Sequence, residues 1–296
     1  MSSGPASHAV FQAEALASPG CRLGECPVWH AGEGCFYWTD IPARTLWRID
    51  AAGQGLTHWA LPVQLSAFAL SEGGGFIAAT DRGFARMTIV DDKVAFDFAG
   101  GPDLPEGWRM NDGACDRQGR FWAGSIAGKP GVEGEAGALF SIARHGVLEA
   151  RGGRFQVQNG LAWSPDGRRM YVSDSYPAHP HVLCYDFDPE SGERYGGRLF
   201  ADHATLLGRP DGAAMDVDGC YWIAASDSGR ILRMTPEGRI DAEIKVPVPN
   251  GTNLCFGGPD LKTALITSMN RDCIGGDIFA VTLPFQGLAE PQFVVK

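Results

Sequence analysis

A hairpin-like block recurs six times along this chain, and that repetition constrains the fold more than any other feature. The copies are ECPVWHAGEGCFYWTD (25–40), LSAFALSEGGGFIAAT (65–80), NDGACDRQGRFWAG (111–124), NGLAWSPDGRRMYVSD (159–174), DGAAMDVDGCYWIA (211–224) and TNLCFGGPDLKTALIT (252–267). Each joins a polar or small start to an apolar stretch, a turn rich in Gly, Asp or Pro, and a second apolar strand. Tyr37, Phe76, Phe121, Tyr171 and Tyr221 mark the second strand, with Ala264 in the sixth copy, at steps of 39, 45, 50, 50 and 43 residues. Strand pairs repeating every 40–50 residues are the signature of a β-propeller.

The rest of each repeat completes a blade. LWRID (46–50), FARMTIV (84–90), GALFSIA (137–143), VLCYDFD (182–188), RILRMTP (230–236) and DIFAVTL (277–283) read as third strands. THWAL (57–61) and RIDAEIKV (239–246) read as fourth strands. The sequence therefore predicts an all-β fold: a six-bladed β-propeller of four-stranded antiparallel blades around a central channel. It is one domain over residues 10–296, preceded by a flexible tail over residues 1–9. Val10 to Ala17 is placed to supply the outer strand of the last blade and close the ring without a long bare edge. The 40 Gly and 19 Pro fit many short strands and turns better than helices. Two stacked β-sandwiches fit less well, because the repeat is regular from end to end.

With 35 acidic and 25 basic residues the net charge is −10, and no Lys/Arg run occurs, which argues against nucleic acid as a partner. The eight cysteines form no CxxC pair and several sit in apolar strands, as expected in a reducing compartment without disulfides. MSSGPASHAV has neither the basic nor the apolar region of a secretory signal, and no apolar run approaches the ~20 residues of a membrane span. A soluble cytoplasmic protein with no membrane partner is expected; its oligomeric state is not legible.

In a propeller the first strand of each blade lines the channel, and the residue opening it points at one mouth. Counted back from the markers, Glu25 and Asn159 lie 12 residues before, Asn111 and Asp211 lie 10 before, and Asn253 lies 11 before. The second copy has Leu65-Ser66 there. Five blades thus offer a carboxylate or amide oxygen at one mouth, a hard donor set that suits Ca²⁺, Mg²⁺ or Mn²⁺ and tolerates Zn²⁺ or Fe²⁺. Pro210-Asp211-Gly212 and Asn159-Gly160 also read as tight turns. Asp166, only 5 residues before Tyr171, belongs to a hairpin turn and is structural. His179 and His181 fall in a Pro-broken loop and read as solvated. No histidine opens a channel strand, and neither GxSxG nor a phosphate-loop motif occurs. The tryptophans read as packing between blades.

Five ordered stretches resemble the regucalcin (senescence marker protein)/gluconolactonase family of propeller lactonases. They are LGECPVW (23–29), RMNDGACDRQGRFWAGS (109–125), NGLAWSPDGRRMYVSDS (159–175), PDGAAMDVDGCYWIA (210–224) and TNLCFGGPDLKTALITS (252–268). The resemblance implies one divalent metal ion held by Glu25, Asn159 and Asp211, with Arg109 and Asn111 contacting substrate. It also implies a carboxylate from the loop SIAGKPGVEGEAG (125–137) on the sugar hydroxyls; Lys129 stands near that place, with Glu133 and Glu135 as substitutes. The expected activity is hydrolysis of a C5 or C6 sugar lactone to its aldonic acid, with Asp211 as general base. The alternatives are a phosphotriesterase- or aryl-esterase-like hydrolase on the same propeller, or a non-catalytic calcium-binding protein.

Overall fold

In the computed structural model, which describes residues 8–143 and 146–295, the six repeats become six sheets. The chain opens with two short strands, β1 (Ala9–Gln12) and β2 (Glu14–Ala17). Blade 1 is β3 (Gly24–His30), β4 (Cys35–Asp40), β5 (Thr45–Asp50) and β6 (Thr57–Ala60). Blade 2 is β7 (Leu65–Leu70), β8 (Phe76–Thr80), β9 (Gly83–Val90) and β10 (Lys93–Gly100). Blade 3 is β11 (Arg109–Cys115), β12 (Phe121–Ile126), β13 (Gly137–Ile142) and β14 (Leu148–Phe155). Blade 4 is β15 (Gln158–Trp163), β16 (Arg169–Asp174), β17 (His181–Phe187) and β18 (Arg194–Asp202). Blade 5 is β19 (Arg209–Met215), β20 (Tyr221–Ser226), β21 (Arg230–Met234) and β22 (Ile240–Lys245). Blade 6 is β23 (Gly251–Gly257), β24 (Thr263–Ser268) and β25 (Ile278–Thr282), completed by β2. Among the described residues the one helix, α1 (His203–Leu206), is far too short to cross a membrane.

Ring closure differs in detail from the sequence expectation. Glu14 to Ala17 pairs antiparallel with β25 in the last blade, as expected. Val10 does not. It lies on β1, which runs parallel to β22 and makes blade 5 five-stranded. The chain switches sheets at Ala13, a buried residue whose N–H donates to Lys245 O at 2.9 Å. A buried small residue there lets one extended segment cover the edges of two blades. Ala9, expected in the tail, already belongs to β1; residues 1–7 lie outside the described residues.

Bulky side chains of the inner and second strands fill the spaces between blades. Trp38, Trp122, Trp163 and Trp222 are almost wholly buried. Trp122 and Trp163 meet across blades 3 and 4 with ring centroids 5.6 Å apart, and Trp222 meets Phe256 across blades 5 and 6 at 5.6 Å. Edge and tilted contacts of this kind add to area burial.

Two blades carry the same buried staple. In blade 5 the Asp216 carboxylate accepts from Asp218 N (3.0 Å), Cys220 N (2.9 Å), Trp222 Nε1 (2.9 Å) and Arg233 Nε (2.7 Å). In blade 3 Asp116 accepts from Gln118 N, Arg120 N, Trp122 Nε1 and Arg120 Nε. One carboxylate fixes the hairpin turn, the tryptophan rotamer and a guanidinium together.

Residues 286–294 cross the end of the channel where the inner strands finish. Leu288 N bonds Met215 O, Phe293 N bonds Leu70 O and Val294 N bonds Gly119 O, tying blade 5 to blades 2 and 3.

Candidate active site

Every inner strand carries one extra residue relative to its partner, at the same level of the ring. The breaks fall between Glu25 and Val28, Leu65 and Ala67, Met110 and Gly113, Asn159 and Ala162, Pro210 and Ala213, and Gly251 and Asn253. A bulge turns successive side chains out of simple alternation and re-aims them. Here the ring of bulges sets the polar residues of the mouth. Glu25 and Asn159 are the last paired residues before their bulges, Asn111 and Asp211 are the first bulged residues, and Asn253 follows its bulge. The five therefore stand in three different relations to their bulges.

Local geometry separates the two main placements. Cys26 and Gly160, just after Glu25 and Asn159, have left-handed φ of 47° and 61°. Asn111 and Asp211 stay in ordinary extended backbone. The readings of Pro210-Asp211-Gly212 and Asn159-Gly160 as tight turns are corrected: both lie within strands. Gly212 serves close approach, since a Cβ there would lie 1.9 Å from Asn253 Cγ. Asp166 is a turn residue, as read, accepting from Ser164 Oγ at 2.6 Å and Arg168 N at 3.0 Å.

A chain of amides joins blades 3, 4 and 5. Arg109 Nη1 donates to Asn111 Oδ1 at 2.7 Å. Asn111 Nδ2 donates to Asn159 Oδ1 at 2.9 Å and to Gln158 O at 2.7 Å. Asn159 Nδ2 donates to Ser175 Oγ at 2.7 Å, and Ser175 Oγ donates to Pro210 O, beside Asp211. On the other side Asn253 Nδ2 donates to Glu25 Oε2 at 3.1 Å.

The carboxylates are in an unusual state. Asp211 is 8% exposed, and among the described residues no hydrogen-bond donor reaches its side chain. Burial, then the nearby Glu25 charge, push its pKa well above the usual carboxylate range. Glu25 is pushed up to about 7 by burial and by Asp112, against the opposing effect of Asn253. Burial lowers the Arg109 pKa, opposed by Glu25 and Asp211. Two interacting acids, Asp211 buried and Glu25 half-buried, the first without a donor, form a place that a cation would neutralise. Among the described residues no three His, Cys, Asp or Glu side chains converge as a metal cluster, so the donors on offer are Glu25, Asp211 and the Asn159 amide oxygen. Their hard oxygens fit a divalent ion.

Asp112 was missed by the sequence reading. Its carboxylate accepts from Leu161 N at 3.0 Å, across to blade 4, and burial lifts its pKa to about 6. The visible signal was its place beside Asn111 in Asn-Asp-Gly. Lys129, Glu133 and Glu135 are exposed, and their side chains bond none of the mouth residues. His179 is exposed, its carbonyl bonded to His181 Nδ1, and its side chain bonds none of the mouth residues. A cavity of about 780 Å³ lies below the polar mouth in the lower channel. It is lined mainly by apolar residues, with Asp112 above and Ala289 to Gln292 at the far end.

A ring of six blades with buried carboxylates and amides at one channel mouth defines a class of propellers that handle a small ligand or ion there. Within it, the chain belongs to the SMP-30/gluconolactonase/LRE-like family, whose pattern it matches over residues 23–270. It is 38% identical to the 6-deoxy-6-sulfogluconolactonase of Pseudomonas putida over 284 residues, covering 92% of this chain and 94% of that one. It is 29% identical to regucalcin of Xenopus laevis, covering 95% and 97% of the two chains. The structure superimposes on a calcium-binding regucalcin of Agrobacterium tumefaciens with a TM-score of 0.88, at 26% identity and 97% and 99% coverage.

Proposed function

We propose that this protein is a metal-dependent sugar lactonase that opens a C5 or C6 aldonolactone to its aldonic acid in sugar catabolism. The observation that carries the reading is the interacting pair of carboxylates, half-buried Glu25 and buried Asp211, set against the Arg109–Asn111–Asn159 chain. Similarity to a protein named 6-deoxy-6-sulfogluconolactonase supports a six-carbon sugar lactone as substrate. Eight free cysteines support the cytoplasm as the place of action.

Glu25, Asn159 and Asp211 would hold the metal. A bound divalent ion supplies Lewis-acid polarisation of the lactone carbonyl and charge stabilisation for the oxyanion. The chain's own residues do the remainder. Asp211 takes the proton of the attacking water on its free carboxylate oxygen. Arg109 and Asn111 orient the sugar through its hydroxyl and ring oxygens, and their mutual bond fixes their direction. Asn159, held by Asn111 and Ser175, presents its oxygen in one orientation.

The test is a panel of C5 and C6 aldonolactones, a phosphotriester and an aryl ester, run with defined metals and after chelation. Aldonolactones are expected to be the fastest substrates, and chelation to abolish their turnover. Asp211→Ala is expected to lose at least about 100-fold in kcat. Full activity in chelator refutes the metal role, and parental rates in Asp211→Ala refute the base. Metal binding without turnover of any substrate would support the non-catalytic reading.

A further inference from the structure

The rim between blades 5 and 6 carries a charge arrangement that lactone hydrolysis itself does not require. In blades 1, 2 and 4 an aspartate at the end of the second strand holds the backbone entering the inner strand. Asp40 accepts from Arg22 N and Leu23 N, Asp81 from Gln64 N, and Asp174 from Gln156 N and Val157 N. In blade 5 the second strand ends instead at Ser226, paired with Arg209. The aspartate stands one residue later, at Asp227, with a left-handed φ of 75°. Its carboxylate caps no backbone; it accepts two bonds from Arg209, through Nε and Nη2, and a third from Arg271 Nη1 at 2.8 Å.

Two guanidinium groups therefore share one carboxylate. Bonding to Arg209 first, and to Arg271, holds the Asp227 pKa below the usual range, so the carboxylate stays charged and the trio keeps a net positive charge. The trio is open to solvent, with the Arg271 side chain 47% exposed. Arg209 Nη1 and Arg271 Nε make no bond to protein among the described residues, leaving N–H donors free. Arg209 is two residues from Asp211 and close enough for the two charges to interact. A left-handed non-glycine residue that anchors two arginines beside the reacting group is a built feature.

We propose that Arg209 and Arg271, oriented by Asp227, form an anion-recognition subsite that selects lactones bearing an anionic group on the carbon farthest from the lactone carbonyl. This deepens the lactonase reading and rests on it. Free guanidinium N–H groups suit a tetrahedral oxyanion such as sulfonate or phosphate, and also a planar carboxylate. Arg271 is a specificity residue here, set apart from the groups that act on the carbonyl.

The experiment compares kcat/KM for glucono-1,5-lactone with that for the same ring bearing a 6-sulfonate, a 6-phosphate or a C6 carboxylate. The parent is expected to prefer at least one anionic ring by tenfold or more, a preference that shrinks with added salt. In Arg271→Met the ratio of anionic to neutral kcat/KM falls by about tenfold or more, as expected for loss of a charge-assisted bond; Arg271→Lys restores part of it. Arg198→Met, on the outer strand of blade 4, leaves the ratio unchanged. A parent that prefers the neutral ring, or an Arg271→Met ratio within twofold of the parent, overturns the subsite while leaving the lactonase reading intact. Failure of the parent to hydrolyse any of these rings overturns the lactonase reading itself.

Discussion

Replacing Asp216 with alanine removes four hydrogen bonds from one wholly buried carboxylate. The magnitude follows from what is left behind. Two turn bonds, to Asp218 N and Cys220 N, are worth about 1 kcal/mol each. The Trp222 indole N–H becomes a buried donor without a partner, at about 1–3 kcal/mol. Arg233 loses its innermost partner, but Asp218 and Asp241, both at 2.8 Å, still compensate its charge. That keeps the total near about 4 kcal/mol, inside the range for breaking a buried pair. In a chain of this size each kcal/mol moves Tm by roughly 2 °C, so thermal unfolding should begin about 8 °C lower. Asp218→Ala, at a residue whose side chain is 63% exposed, should cost less than about 1 kcal/mol. Asp116→Ala should match Asp216→Ala, and the double variant should add, because the two staples lie in different blades. An Asp216→Ala protein melting within about 2 °C of the parent would refute the reasoning.

Without metal, Glu25 binds its proton more tightly folded than unfolded, because its pKa is raised from 4.5 to about 7. Its contribution to stability is then full below about pH 4.5 and lost as pH rises through about 7; Tm measured in chelator from pH 5 to 8 should fall, and added metal should restore most at the upper end. Gly212→Ala should lower activity by misplacing Asn253, whose amide the new Cβ would strike, with a stability cost of about 1–3 kcal/mol by denaturant unfolding. Asn159→Ala should weaken metal binding, measured by calorimetry, since it removes a donor oxygen and leaves Asn111 Nδ2 with Gln158 O as its remaining partner.

The ring, its blade count and its third strands were legible because hairpins repeated at a propeller period from Glu25 to Thr267. The mouth was legible for the same reason: counting back from an aromatic marker selected Glu25, Asn111, Asn159, Asp211 and Asn253. The counts of 12, 10 and 11 differ in step with where each residue stands relative to its bulge, but nothing in the sequence marked the bulges themselves. Asp112 escaped because it neighbours a marked residue and faces down the channel. Asp227 escaped because its partners, Arg209 and Arg271, come from two blades, and no local pattern records such a meeting. The split of Val10 to Ala17 between two sheets turned on Ala13, one small residue in an otherwise uniform stretch.

That split has a consequence for biosynthesis. Glu14 to Ala17 leaves the ribosome long before its partner β25. Until then β1 and β2 have no sheet to join, and the edges of blades 5 and 6 are bare when they appear. The ring can lock only once β25 has been made, so an early segment waits for a late one, and any pause that delays its return leaves two strand edges open to a neighbouring nascent chain.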